Sequence, residues 1–432
     1  MNTLFQTLQL CHALKDKRSF EEAMKIVPDS SQENVRALFD WEILGIDEAI
    51  LEAQQYLFNE EDEPALEILG DLIDQVEELD PIQEDDNFLY YTLQNAHEIH
   101  LFEILEKSGK SVMNPKENFG FLYQTYGAVL LAQERMEEAK ECFEKSLKWN
   151  PFDLETRLFV IEVLKMENLM EQFYFENKKL MKMAVSSKCI SIIYQNFAYY
   201  YLQKNDSKSA LYSLLMAADY GFDVDPYVTN LIEQIDLKQV GKELPTEQEI
   251  YAYFIEKGIP VPPDEDLYEY FLERALENEV DNIEEAMFCL SVLDEIKNSL
   301  EKESDDEIRI RKKYNRKLGN EIHKIQEISM DTGTGYIISK LLLTKVHLPF
   351  IHDMSSEKFP CDLVENDEGE LFIPMYLFPS KIPQSQKKNF EIRQVPFEFS
   401  IRLLEEWDEV AGIVLHPFSK DAFEMRREDF QE

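Results

Sequence analysis

The stretch FGFLYQTYGAVLLAQERMEEAKECFEKSLKWNP, residues 119–151, decides the fold because it contains two short apolar helical stripes with a polar break between them. Gly127 and Ala139 are small where two antiparallel helices would cross, so the backbones can approach closely, and Phe143 fills the space beside the crossing. Pro151 cannot continue a helix interior but suits the first turn of a following helix. The stretch therefore predicts a helical hairpin. The two stripes consist of Tyr123, Tyr126, Gly127 and Leu130, and of Ala139, Phe143 and Leu147.

The same pattern returns in YQNFAYYYLQKNDSKSALYSLLMAADYG, residues 194–221. Its small crossing residues, Ala198 and Ala210, each lie 71 residues after their counterparts in the first hairpin, which is close to two periods of a repeat. A degenerate hairpin is therefore expected between the two copies, over residues 152–187. The second copy is carried by Tyr194, Phe197, Ala198, Tyr201, Ala210, Leu214 and Ala217.

Weaker copies of the pattern flank this centre and predict an array of helical hairpins over residues 1–303. No single hairpin buries its own apolar face, so neighbours must stack cooperatively. The run GIPVPPDED, residues 258–266, predicts a joint in the array. The small crossing residues of the weaker copies are Ala23, Ala53, Ala65, Ala275 and Ala286.

The two clear hairpins resemble the tetratricopeptide repeat, a helix-turn-helix unit of about 34 residues. The resemblance implies a concave groove that binds a protein partner and is lined by the first helix of each hairpin. The implied groove positions are Gln124, Ala128, Leu131, Gln195, Asn196, Tyr199 and Gln203. None of them is the Lys or Arg that some repeats of this family use to grip an acidic peptide terminus, so we expect a groove that prefers apolar, aromatic or basic segments. Alternatively, Tyr199 and its neighbours pack against the adjacent repeat and bind nothing.

The charge and the pattern of apolar residues change after residue 303. DDEIRIRKKYNRKLGNEIHKIQEIS, residues 305–329, predicts a charged helix within a connecting segment over 304–330. A solvated connector is the expectation, and a basic site for an acidic partner or docking against the acidic repeats are the alternatives. Residues 331–432 then predict a small α+β domain, with an amphipathic helix over 397–410. Its expected strands lie in segments 336–351, 370–378, 410–418 and 422–428.

This last quarter of the chain resembles the N-terminal domain of the SseB family, named for enhanced serine sensitivity. The resemblance is carried by LLLTKVHLPF, GELFIPMYLFPS and the closing segment VPFEFSIRLLEEWDEVAGIVLHPFSKDAFEMRRED. It departs from the family at His416, where Asn often precedes Pro-Phe, and at Leu377 and Phe378, where Thr-Ser usually follows the aromatic residue. If those polar positions contact a ligand in the family, this chain lacks the contact. The resemblance therefore implies a fold rather than an activity.

Composition narrows the possible partners. The 432 residues include 86 Asp and Glu against 44 Lys and Arg, a formal charge of −42 that repels nucleic acid and anionic membranes. Five scattered cysteines without a CxxC pair predict reduced thiols in a cytoplasm. The opening MNTLFQTLQLCHALKDK predicts a helix rather than a signal peptide, and no apolar run reaches membrane-spanning length.

Candidate catalytic and metal-binding residues are sparse. Asp331, Thr332 and Gly333 form the short aspartic-protease signature, but a single copy would need a dimer, and a loop that joins helix to sheet explains it better. His97 and His100, with Glu103, have a spacing that would place possible metal ligands on one helix face. A second pair, His347 and His352, flanks Pro349 at the end of an expected strand. Structural or exposed histidines explain both pairs more simply. We therefore predict no catalytic residue, metal or cofactor.

These observations favour a non-enzymatic cytoplasmic scaffold that binds a protein partner through the groove, with the C-terminal domain as a second contact. Neither nucleic acid nor membrane is expected as a partner. One alternative is a ligand-binding regulator or enzyme whose site lies in the C-terminal domain and uses His416, Asp331 or Cys361. Another is a chaperone whose acidic surface shields a basic partner.

Overall fold

The computed structural model describes residues 4, 7–8, 10–11, 14–40, 45–59, 61–115, 117–221, 226–236, 240, 244–297, 302–328, 334–351, 359–366, 368–419 and 422–430. The chain divides into two compact units, Met1–Leu267 and Tyr268–Glu432. The division expected after residue 303 falls inside the second unit and stays a prediction. Much of the helix expected at the N-terminus lies outside the described residues. Within the described ranges, no helix has the length and apolar character that crossing a membrane requires.

Helices dominate the first unit. Its described helices are α1 (Lys17–Met24), α2 (Gln32–Asp40), α3 (Ile46–Phe58), α4 (Asp62–Leu79), α5 (Ala96–Leu105), α6 (Phe119–Ala132), α7 (Met136–Trp149), α8 (Leu154–Met166), α9 (Met170–Leu180), α10 (Ser187–Gln203), α11 (Ser207–Asp219), α12 (Pro226–Glu233) and α13 (Glu247–Lys257). Most of them pair in sequence, as in α3 with α4, α6 with α7, α8 with α9 and α10 with α11. The expected helical hairpins over the centre of the unit are therefore confirmed.

The crossing of α6 and α7 has the predicted close packing. A Cβ atom added to Gly127 would lie 2.8 Å from Cε1 of Phe143 and 3.2 Å from the carbonyl oxygen of Ala139. Phe143 is itself fully buried and stacks on Phe159 of α8 with ring centroids 5.1 Å apart. A side chain at position 127 would therefore hold the two backbones apart.

The degenerate hairpin is α8 with α9, inside the expected range 152–187. Its buried residues Ile161 and Phe173 are 12 residues apart, the same spacing as the small pair Ala198 and Ala210 in the next hairpin. The spacing persists although both residues are bulky. This explains why the hairpin has no recognisable small-residue signature.

The segment between α4 and α6 is not a helical hairpin, although it lies within the array expected over residues 1–303. It forms two parallel strands, β1 (Phe88–Tyr90) and β2 (Ser111–Met113), connected through α5. Asp85 organises the turn before β1, because its carboxylate accepts hydrogen bonds from the Tyr90 hydroxyl at 2.6 Å and from the Asn87 N–H at 2.9 Å. Burial alone would raise the pKa of Asp85, but these hydrogen bonds outweigh it and lower the pKa to about 2.

The second unit combines helices with a mixed sheet. Its described elements are α14 (Glu265–Asn278, which begins just before the boundary), α15 (Ile283–Ile296), α16 (Asp305–Ile328), α17 (Thr334–Leu341), β3 (Lys345–Phe350), β4 (Val364–Glu365), β5 (Leu371–Met375), α18 (Gln384–Asn389), β6 (Glu391–Pro396), α19 (Phe397–Glu406), β7 (Val410–Leu415) and β8 (Phe423–Arg426). The strand order is β4–β5–β7–β8, with β5 and β7 parallel and both outer pairs antiparallel. Strand β3 pairs antiparallel with β6 and reaches the end of β5 through a bridge between His347 and Tyr376. The expected helix at α19 and the strands at β5, β7 and β8 are confirmed.

The prediction of a strand throughout 336–351 is wrong in its first half. Residues Thr334–Leu341 form helix α17, and β3 begins only at Lys345. Ile337 and Leu341 are both fully buried, and their i, i+4 spacing fits one face of a helix rather than alternate faces of a strand. The β-branched isoleucines concealed that spacing.

The expectation of a solvated connecting helix is also wrong. Helix α16 buries a stripe of four apolar residues, each at most 2 % exposed: Ile310, Tyr314, Leu318 and Ile322. Its basic face pairs with the preceding acidic hairpin, as Arg311 with Asp294 at 2.6 Å. The Tyr314 hydroxyl donates to the carbonyl of Lys340 at 2.8 Å, and the Thr344 hydroxyl donates to Asn315 Oδ1 at 2.8 Å. Helix α16 is therefore an integral part of the second unit.

Candidate protein-interaction groove

The first helices of three successive hairpins, α6, α8 and α10, share one register. Counting from their crossing residues Gly127, Ile161 and Ala198, equivalent positions carry Ala128, Glu162 and Tyr199, and one turn later Leu131, Lys165 and Leu202. Equivalent positions on stacked helices face the same side. We call the surface formed by Gln124, Ala128, Leu131, Glu162, Lys165, Tyr199, Gln203 and Tyr227 the groove surface.

Contacts between side chains connect the helices along this surface. Gln124 Nε2 on α6 donates to Glu155 Oε2 on α8 at 3.3 Å. Lys165 Nζ on α8 lies 5.2 Å from the ring centre of Tyr199 on α10 and 4.5 Å from that of Tyr227 on α12. The surface is therefore continuous from α6 to α12 within the first unit.

Two of the predicted groove residues are buried. Gln124 is 4 % exposed and Asn196 is 7 % exposed. Asn196 Nδ2 donates to Asn177 Oδ1 on α9 at 3.0 Å, and Asn177 Nδ2 in turn donates to the carbonyl of Ile193 at 2.9 Å. These amides hold neighbouring helices together, and a role for them in partner binding stays a prediction.

The other predicted residues are more accessible. Ala128, Leu131, Gln195 and Tyr199 are half-buried, and Gln203 is exposed at the end of α10. Tyr199 packs edge-on against Phe173 with ring centroids 5.9 Å apart, so part of its ring stabilises the array while the rest faces solvent. Both interpretations of this residue, packing and partner contact, are compatible with that position.

Lys165 was missed by the sequence analysis. It lies at the groove position of the degenerate hairpin α8 with α9, which has no small residues at its crossing and was therefore not aligned with the other hairpins. The 12-residue spacing from Ile161 to Phe173 was the signal that could have aligned it and identified Lys165. Burial alone would lower the pKa of Lys165, but Tyr227 and Glu162 outweigh it and raise the pKa. The Glu162 carboxylate lies 3.0 Å from the ammonium, so the local charge is balanced.

An acidic cleft of about 260 Å³ lies beside Gln124, where the N-terminal turns of α5, α6, α8 and α10 meet. Glu98, Asp153 and Glu155 line it, and the residues that form its described walls include no Lys or Arg. Burial raises the pKa of Glu98, although the Gln94 N–H donates to its carboxylate at 2.6 Å. Asp153 caps α8 and accepts from the Thr156 hydroxyl at 2.6 Å. These carboxylates stabilise helix ends and also make this end of the groove surface unfavourable for an acidic partner.

The histidine pairs occupy mixed environments. His97 and His100 lie on one helix, α5, as expected, but His100 is buried, His97 is half-buried and Glu103 is exposed. Burial lowers the pKa of His347 on β3. His352 lies outside the described residues.

The polar residues of the C-terminal alternative are mostly buried. His416 has a φ of 51° and stacks on Phe378 with ring centroids 5.9 Å apart. Burial raises the pKa of Cys361 to about 12, so its thiol stays protonated at neutral pH and is a poor nucleophile. Asp331 lies outside the described residues.

Comparison with known proteins does not assign this chain to a family. No family model matches this chain, and no curated protein matches its sequence.

Proposed function

We propose that this chain is a non-enzymatic protein-interaction scaffold, in which a tetratricopeptide-like array binds an apolar or basic partner segment along the groove surface. The proposal is supported by one observation above others: Gln124, Lys165 and Tyr199 link the first helices of consecutive hairpins along a single face. Side chains in equivalent register on stacked helices form the extended surface that repeat proteins use for binding.

The chemistry of this face favours a partner with apolar and cationic groups. Leu131 and Tyr199 offer apolar and aromatic area that is half-exposed. Lys165 is already compensated by Glu162, and the adjacent acidic cleft disfavours carboxylates. With a formal charge of −42, the chain would attract a basic segment at long range, and the association would weaken with added salt. In this proposal the C-terminal α+β domain, which resembles the SseB family, supplies a second contact.

A displayed random-peptide library, selected against the full-length chain, tests the proposal. We expect selected peptides to be enriched in apolar, aromatic and Lys or Arg residues, and fluorescence anisotropy should show at least tenfold weaker binding to Tyr199→Ala. Gln203→Arg, at an exposed position, should weaken basic peptides without affecting the fold. The matched control is Tyr200→Ala on the same helix, where Tyr200 instead packs on Tyr174.

Equal affinity for wild type, Tyr199→Ala and Gln203→Arg would contradict groove binding. Thermal unfolding of each variant separates lost contacts from lost structure. A library that yields only acidic peptides would contradict the proposed partner chemistry.

A further inference from the structure

The exposed face of α3 combines apolar side chains with nearby negative charge. Leu51 is 60 % exposed and Phe58 is 90 % exposed, and the two lie seven residues apart on the outer side of α3. The opposite side of this helix is fully occupied, because Ile46, Ile50 and Ala53 are buried in a cluster with α4 and α6. Helix α3 is therefore apolar on two sides, although packing within the first unit uses only one of them.

The exposed side forms a shallow groove of about 410 Å³ along the helix, lined by Leu51, Gln54, Gln55, Phe58 and Asn59. Its two apolar side chains lie two helical turns apart, at the i and i+7 positions that anchor one helix against another. The glutamines between them are neutral and exposed. This pattern suits a partner helix whose own apolar residues repeat at the same interval.

Charge decides which partner fits. The hairpin over residues 46–79 contains twelve Asp and Glu and no Lys or Arg. Asp47 and Glu48 are exposed one turn before Leu51, and Glu61 and Asp62 are exposed just beyond Phe58. A second copy of this chain would bring twelve negative charges against twelve, which like-charge repulsion opposes. A partner helix that carries Lys or Arg beside its apolar residues would be attracted by the carboxylates at both ends of the exposed face of α3.

The register relates this face to the groove surface. Ala53 and Ala65 are both fully buried and 12 residues apart, so Ala53 is the counterpart of Gly127 and Gln54 is the counterpart of Ala128. We infer that the outer face of α3, anchored by Leu51 and Phe58, docks a basic amphipathic helix of a partner protein. This inference deepens the proposed function and rests on it, because it names the partner class for the first part of the same array.

The test uses full-length protein and a fluorescein-labelled synthetic 18-residue Leu/Lys amphipathic helix, followed by anisotropy. Two control peptides are a permuted sequence of identical composition and a Leu/Glu helix. We expect the Leu/Lys helix to bind at least tenfold more tightly than the permuted peptide, and the Leu/Glu helix not to bind. Leu51→Gln with Phe58→Gln should weaken binding at least tenfold. Ile255→Gln is the matched control, since Ile255 is 71 % exposed elsewhere in the first unit.

The charge contribution is tested by Asp47→Asn with Glu48→Gln, which should weaken binding severalfold and flatten its dependence on salt. Both residues are exposed, so these changes leave the core intact. Equal binding of the permuted peptide, or unchanged affinity in the Leu51 and Phe58 double variant, overturns the inference. Unchanged salt dependence in the Asp47 and Glu48 variant overturns its electrostatic part.

Failure of this inference is distinguishable from failure of the proposed function. If only the inference is wrong, library-selected peptides still lose affinity in Tyr199→Ala, while the α3 variants bind the Leu/Lys helix normally. If the groove proposal is wrong, Tyr199→Ala binds the selected peptides normally.

Discussion

Replacing Gly127 by Ala is the most direct test of the hairpin crossing. The new methyl group would lie 2.8 Å from Phe143 Cε1 and 3.2 Å from the backbone oxygen of Ala139, both closer than ordinary van der Waals contact. Phe143 has little room to move, because it is fully buried and stacked on Phe159. Overpacking of a buried site typically costs about 1–3 kcal/mol. The change also removes a helix-interior glycine, which recovers about 1 kcal/mol.

The expected net result is a loss of about 1 kcal/mol in the free energy of unfolding. Gly70→Ala is the matched control, because the same methyl group in α4 would lie 3.5 Å from the nearest atom, the Tyr126 hydroxyl oxygen. There the recovered helix propensity should dominate and stabilise the chain by about 0.5–1 kcal/mol. The two identical chemical changes should therefore have opposite signs.

Urea unfolding followed by Trp149 fluorescence provides the assay. Trp149 is buried at the end of α7 and packs against the tilted ring of Phe119 on α6, with ring centroids 4.6 Å apart, so it reports on this hairpin. Trp41→Phe and Trp407→Phe in all variants remove the other two tryptophan signals. If Gly127→Ala were as stabilising as Gly70→Ala, the close crossing would not exist and the steric reasoning would be refuted. Adding Phe143→Leu to Gly127→Ala should recover part of the loss, which a double-mutant cycle measures.

Three further predictions concern polar groups that are hydrogen-bonded or ion-paired within the fold. Asn196→Ala leaves the buried Oδ1 of Asn177 without the amide donor on α10, and urea unfolding should show a loss of about 1–3 kcal/mol, whereas the exposed change Gln203→Ala should leave stability unchanged. The folded pKa of Asp85, about 2, lies below its unfolded value of 3.8, so its contribution to stability is present above pH 3.8 and is lost as pH falls through 2. Asp85→Asn should therefore reduce the slope of the unfolding free energy against pH between pH 3.8 and 2. An unchanged slope would contradict the lowered pKa of Asp85. Lys297→Met leaves Glu307 buried without its cation and should cost about 3–5 kcal/mol, while Lys297→Met with Glu307→Leu should recover most of the loss in thermal or urea unfolding.

Local sequence predicted the fold best where a steric signature was present. Gly127 and Ala139 identified the first hairpin, and Ala198 and Ala210 identified the second, because small residues at a crossing are difficult to replace. The parallel pair β1 and β2 was not predicted. Each strand has only three residues, which is too short for a period of two to emerge from the surrounding helical pattern.

Charge concealed the character of α16. Its sequence is rich in Lys and Arg, and that density suggested a solvated helix although Ile310, Tyr314 and Leu318 recur every four residues. The period of the apolar residues, rather than the overall charge, decides whether a helix is buried.

For the candidate site, the sequence identified accessible positions such as Tyr199 and Gln203 but also Gln124 and Asn196, which the structure places in contacts between helices. Register alone gives the side of the helix on which a residue lies. The depth of that residue depends on the neighbouring hairpin, as with the amide of Asn177 that meets Asn196. The repeat pattern therefore does not predict how deeply a groove residue is buried, because packing against the neighbouring hairpin determines that depth.

The packing of α16 within the second unit determines where a fragment of the C-terminal region can begin. A fragment that starts at residue 331 would remove the hydroxyl donor of Tyr314 from Lys340 and the amide of Asn315 from Thr344, and would uncover the surface on which that helix rests. Such a fragment should express as an aggregation-prone, protease-sensitive species. A fragment that begins just before α14, which starts at Glu265, keeps all the helices of the second unit and should be soluble and resistant to proteolysis.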